Sequence, residues 1–273
     1  MHIKYILFAF FLPLTSAGQE LFSFTEPASN MAAKSLGFRI NNRLLLENNG
    51  NSYHLNPEVM FGVSRKIMIH ADLFFGTRPR ELTNLNKEFD FDGGSIYLKY
   101  RVYSQDEVHS HFRIAAYARL SSSNAYIKQP AIDLHGNNTG YESGLIATKL
   151  INKVALSASV SFLHATDNGT KKFGYGNSRN AIDYTLSVGK LMLPKEYTDY
   201  KQTNLNIMIE MLGQYNTGVR QSFLDIAPSI QFIILSKMRV DLGYRFPLTQ
   251  SLFRTDKSSF LLRLEYNIFN VFK

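Results

Sequence analysis

The closing stretch "SFLLRLEYNIFNVFK", residues 259–273, sets Phe260, Leu262, Leu264, Tyr266 and Ile268 at every second position, with Arg263, Glu265 and Asn267 between them. A repeat of two belongs to a β-strand, whose successive side chains point to opposite faces. One face is greasy and the other charged, so the two meet different surroundings. Which of them meets water decides the fold.

Working back from the end, eleven more segments of roughly ten to fourteen residues repeat the pattern. They include "SLGFRINNRLLL" (35–46), "YHLNPEVMFGV" (53–63), a run from Ile67, "SIYLKYRV" (95–102) and "HFRIAAYARL" (111–120). They continue with 141–150, "VALSASVSFLH" (154–164), "AIDYTLSVG" (181–189), 205–211, 224–234 and "MRVDLGYRF" (238–246). The sixth segment is the weakest, because Ile146 and Leu150 compete with Leu145 and Ala147 for the apolar face. Short connections near 64–66, 152–153 and 236–237, and middling ones near 104–110 and 191–200, alternate with longer polar ones. The longer ones lie near 78–88, 121–139, 165–179, 213–221 and 247–257.

Twelve strands with short turns on one side and long loops on the other are the build of an all-β, antiparallel transmembrane β-barrel of the outer-membrane type. A soluble sandwich also alternates, but its strands are typically about five or six residues, whereas a tilted span of a bilayer takes about 9–11. A packed core could not host the Arg, Asp and Glu of the opposite face unpaired. Aromatic residues gather near strand ends, at Tyr53, Phe75, Phe112, Phe162, Tyr244, Phe246, Tyr266 and Phe272, where barrels carry aromatic girdles. The water is therefore inside.

Composition bounds the rest. With 21 Phe and 15 Tyr in 273 residues, the chain has too much to bury to be disordered. It has no Cys, so disulfides and thiol chemistry are excluded. The formal charge of +8 is scattered, its densest spots being "RPR" (78–80) and "KK" (171–172), which argues against a nucleic-acid partner. Residues 1–18, "MHIKYILFAFFLPLTSAG", have a lone Lys4, a short apolar run and small residues at the end, the layout of a cleaved secretory signal. Residues 19–34 lack alternation and read as a periplasmic N-terminal segment, either a loose tail or a small plug inside the lumen. Residues 35–273 make the barrel.

Alternation assigns Arg39, Lys99, Arg101, Arg113, Arg119, Arg239, Arg245 and Arg263 to the lumen, against Glu58, Asp72, Asp183, Glu210, Asp225, Asp241 and Glu265. The densest group is Asp225, Arg239, Asp241, Arg245, Arg263 and Glu265, with Arg113 and Arg119 on the fifth strand. Such charges either pair across the lumen and fill it or form a constriction that selects a small polar or anionic solute. A channel or transporter is the expected function. A closed structural or accessory barrel with a salt-bridged lumen is the alternative, and a membrane-embedded hydrolase a third.

For the hydrolase, "LHGNNTGYESG" (134–144) and "LHATDNGT" (163–170) hold His, Asn and Gly without the spacing of a barrel phospholipase, and Asp133, His135, His164 and Asp167 are loop candidates for a rim protease. The expectation is no enzyme and no cofactor. "VHSH" puts His109 and His111 two apart beside Asp106 and Glu107, a weak metal motif that a solvated turn explains better. Tyr266, Ile268 and Phe272 resemble the C-terminal aromatic signal read by barrel-assembly machinery, with Lys273 departing from the usual terminal Phe. That machinery and outer-membrane lipid are the expected partners, with a small-molecule solute as cargo.

Three stretches resemble a family of Bacteroidota outer-membrane β-barrel proteins of transporter-like kind: "FTEPASNMAAKSLGFRINNRL" (24–44), "DGGSIYLKYRVYSQDEVHSHFRIAAYARLS" (92–121) and "GYESGLIATKLINKVALSASVSFLH" (140–164). The resemblance covers most of the mature chain. It implies an outer-membrane barrel and a Gram-negative host, and it carries over no catalytic residue.

Overall fold

The computed structural model describes residues 22–47, 51–79, 87–107, 110–176, 178–196, 202–255 and 257–271. The signal segment 1–18, His109 and Phe272 lie outside them. Twelve antiparallel strands form one closed barrel. They are β1 (Ser35–Leu46), β2 (Ser52–Gly62), β3 (Ile67–Pro79), β4 (Lys87–Glu107), β5 (Ser110–Ser123) and β6 (Gly140–Ile151), followed by β7 (Val154–Ala165), β8 (Asn180–Leu193), β9 (Asn204–Asn216), β10 (Gln221–Ile234), β11 (Met238–Gln250) and β12 (Ser258–Ile268). The closing stretch is the seam: β12 pairs with β1 from Leu36↔Ile268 to Leu46↔Ser258. Closure removes the unpaired strand edge that a bilayer could not satisfy.

Alternation places side chains as expected. Leu120 is 67% exposed and Ile96 61%, and dozens of other large apolar residues stand on the same outer face. A surface so apolar has no place in water. Strands of eleven residues or more, tilted as barrel strands are, cover roughly 28 Å of axis, enough for the apolar band of about 25 Å. Near one rim Tyr53, Phe75, Phe89 and Phe91 pack against one another. In β6 the ambiguity resolves on Leu145, which points outward, whereas Ile146 is buried inside.

Two expected connections differ. The loop expected near 213–221 is a turn of residues 217–220, because β9 runs to Asn216 and β10 starts at Gln221. Strand β4 extends over 21 residues and absorbs parts of the 78–88 and 104–110 connections.

Candidate functional site

The lumen wall carries polar residues in rows that follow the strand register. Glu58, Arg39, Glu265 and Arg239 are successive partners across β2, β1, β12 and β11, so charge alternates along the row. Arg39 reaches both neighbours, at 3.2 Å to Glu58 and 2.9 Å to Glu265. One step toward the outer rim, Asn41, Arg263, Asp241, Gln231 and Asn206 are paired in the same way. Arg263 Nε donates to Asn41 Oδ1 at 2.6 Å, Gln231 Nε2 to Asp241 at 2.9 Å and Asn206 Nδ2 to Gln231 Oε1 at 3.0 Å. On the far wall the row is Glu210, Ser187, Ser157 and Thr148. Its small hydroxyls leave room beside the wall.

Residues 22–34 occupy that room. Their backbone crosses the lumen along the hydroxyl row before entering β1. The buried Glu210 carboxylate accepts the N–H groups of Ser23 (2.8 Å), Phe24 (2.9 Å) and Thr25 (2.8 Å) and the Thr25 hydroxyl (2.7 Å). Thr25 Oγ1 lies 3.1 Å from Ser187 Oγ, and Ala28 N donates to Thr148 Oγ1 at 2.9 Å. Glu26 pairs with Arg39 at 2.7 Å. Burial would raise the Glu26 carboxyl, but the Arg39 and Lys99 cations hold it well below the usual carboxylate range. Lys99 Nζ binds the carbonyls of Pro27 and Ser29, and Arg239 donates to the Phe22 carbonyl.

The wall is shaped for this segment. Gly243 leaves space for the Phe24 ring, which a Cβ there would meet at 2.6 Å, and a Cβ at Gly62 would collide with the Ala32 carbonyl. Ala115 and Ile146 face inward and pack on Ala28. These apolar residues at luminal positions break the alternation, a sequence signal that something lies inside.

From the outer side, the connection between β5 and β6 folds into the mouth. Ile132 N and O bond the amide of Gln214, at 2.9 and 2.8 Å, and the His135 carbonyl accepts from Asn56 Nδ2 at 3.2 Å. Beside it Asp225, fully buried, holds Arg245 at 2.5 Å and binds both terminal nitrogens of Arg254, whose guanidinium lies 4.1 Å over the Phe223 ring. Arg254 comes from the β11–β12 connection, where alternation could not find it. His135 itself is exposed to the cavity. Its placement inside the barrel, with Arg119 and Arg43 nearby, lowers its pKa to about 3.

The eight charges expected as the site thus divide by level. Arg239, Asp241, Arg263 and Glu265 belong to the rows that hold the N-terminal segment, and Asp225 with Arg245 belongs to the mouth. Arg119 pairs with Asp72 at 3.1 Å, and Arg113 with Asp106 at 2.9 Å and with Ser29 Oγ at 2.5 Å. Tyr266 and Ile268 face outward. His111 is buried at the start of β5 opposite Asp106. The rim candidates do not converge: Asp133 binds His135 N and Asn137, Asp167 binds Phe173 N and Arg179, and His164 binds Asn180. Those bonds organise the loops.

Between the two inserted segments lies a cavity of about 260 Å³, and on the other side of residues 22–34 a second of about 490 Å³ opens among Met60, Met68, Arg101 and Lys237. No family model matches the chain, and no curated protein matches it in sequence. Among solved structures, an outer-membrane channel from Pseudomonas putida F1 superposes with a TM-score of 0.61 at 11% identity, over 89% of this chain and 100% of that one. NanC porin gives 0.48 at 11% identity, over 84% of this chain and 97% of its own. KdgM porin gives 0.45 at 9%, over 84% and 98%. The chain, a closed twelve-stranded antiparallel barrel of the outer-membrane type, is similar in fold to the P. putida channel.

Proposed function

We propose that the protein is a channel for a small polar solute in the outer membrane of a Gram-negative bacterium, of the Bacteroidota kind that its three stretches resemble, and that residues 22–34 are its plug. The observation that carries this reading is the position of the two cavities. They lie on either side of a chain segment held by hydrogen bonds, so what interrupts the lumen between them is that segment of backbone rather than the packed wall. Charged residues lining both cavities suit a polar or anionic solute. Tyr266, Ile268 and Phe272 are proposed as the signal for the assembly machinery, and the apolar belt as the surface that meets lipid.

Planar-bilayer conductance of the refolded full chain tests the reading. The channel should open in discrete steps, and deletion of residues 22–34 should raise the open fraction. A second reading, a closed accessory barrel, draws on the ion pairs around Arg39. It predicts that the deletion variant folds and stays silent.

A further inference from the structure

We propose that the cavity between residues 22–34 and the β5–β6 connection binds a short zwitterionic peptide of the dipeptide class. Its carboxylate would point toward Arg43 and Arg263 and its ammonium toward Glu142 and Asp183. The proposal rests on the channel reading for the route of access, and on the wall for its chemistry.

The charges are arranged across the lumen. In a ring of twelve strands β6 to β8 stand opposite β12 and β1, so the acidic pair on β6 and β8 faces the basic pair on β1 and β12. All four line the cavity. The remaining charges there are engaged with one another. Arg39 contacts three carboxylates, Arg119 holds Asp72 and Arg245 holds Asp225. The four facing residues keep spare capacity. Arg43 donates to the His135 carbonyl at a long 3.5 Å, and Arg263, whose Nε is held by Asn41 at 2.6 Å, reaches the Phe22 carbonyl at 3.4 Å and Asp241 at 3.8 Å through Nη1, which leaves its Nη2 for a ligand. Asp183 accepts one bond from Gln214 at 2.8 Å, and Glu142 accepts the Tyr117 hydroxyl at 2.7 Å with Arg119 3.8 Å away. An ammonium on one wall and a carboxylate on the other would complete them.

Two residues of the strands beside these walls carry buried polar atoms that a polar ligand could meet. The Tyr97 hydroxyl and Asn56 Oδ1, on residues 2% and 4% exposed, have no hydrogen-bond partner among the described residues, and both residues line the cavity. Left unpaired, such atoms are costly.

Size agrees. Twelve strands about 4.8 Å apart and tilted about 40° give a ring roughly 24 Å across between Cα atoms, which leaves on the order of 12 Å between opposed charged groups. After a hydrogen bond of about 2.9 Å at each end, roughly 6–7 Å remains, the length of two residues at about 3.5 Å each.

Isothermal titration of the full barrel in detergent tests this with alanyl-alanine, its N-acetyl and C-amide forms, and alanine. Alanyl-alanine should bind saturably at one site, and each of the other three at least about tenfold more weakly. Arg43→Gln should weaken alanyl-alanine about tenfold and leave the amide unchanged. Asp183→Asn should weaken it similarly and leave the acetylated form unchanged. Equal binding of alanine or of a blocked form overturns the proposal. So does the absence of binding to both the wild type and Glu210→Gln, whose plug is loosened. Conductance without dipeptide binding overturns the site and leaves the channel, whereas binding by a silent barrel does the reverse.

Discussion

Glu210→Gln is the perturbation that most directly probes the plug. The carboxylate takes two donors on each oxygen: Ser23 N and Phe24 N on Oε1, Thr25 N and Thr25 Oγ1 on Oε2. A glutamine keeps the shape, but one oxygen becomes an NH2, so two buried donors lose their acceptor. Each orphaned donor costs about 1–3 kcal/mol, and the two bonds that survive lose their charge assistance. A central value of about 4 kcal/mol corresponds to about a thousandfold at about 1.4 kcal/mol per decade. Single-channel recordings should show the opening frequency rising by two to three decades on the order of that estimate. Hydrogen exchange at the amides of residues 23–25 should accelerate in parallel. Ser187→Ala removes one neutral contact at 3.1 Å and should move the equilibrium by less than about tenfold. A glutamine variant with unchanged openings and unchanged amide protection would refute the latch.

Three further outcomes follow from the geometry. Gly243→Val should expel the Phe24 ring from its seat on β11, read as a gain in conductance with little loss of barrel stability; an unchanged current would mean that the ring does not seat the plug. Asp225→Asn strips the counter-charge from Arg254, which is 3% exposed, and should cost about 3–5 kcal/mol, seen as a lower melting temperature, whereas Arg245→Ala leaves Arg254 paired and should cost much less; equal losses would contradict the division of roles. For His135, the free imidazole titrates near 6.5 and the docked one near 3, so between those values the undocked loop binds more protons. Docking of residues 124–139 should be complete above pH 6.5 and weaken as pH falls toward 3, measured as protease nicking of the loop, with the pH dependence flattened in His135→Gln.

Much of this protein was legible locally. Phe260 to Ile268 alternate because a strand exposes successive side chains to opposite faces, and that needs no partner to be read. The luminal placement of Asp225, Arg239 and Asp241 came from the same rule. Ile146, Ala115, Met60 and Met68 were among the exceptions, apolar residues at luminal positions like Phe74, Met208 and Leu261, and they lie against residues 22–34 without a local pattern saying what they would meet. Arg254 and Glu26 were missed because they come from segments that have no period.

The sequence alone determined the strand count, the face that meets lipid, the polar interior and the need for β12 to close on β1, since each follows from a two-residue period and an edge that cannot stay unpaired in a bilayer. Only the tertiary structure decided that residues 22–34 cross the lumen, that Glu210 serves their backbone rather than a cation, and that Asp225 binds an arginine from a loop. Those partners are set by register around a closed ring. Glu210 and Thr25 stand 185 residues apart, and no local pattern records which strand will face which across the water.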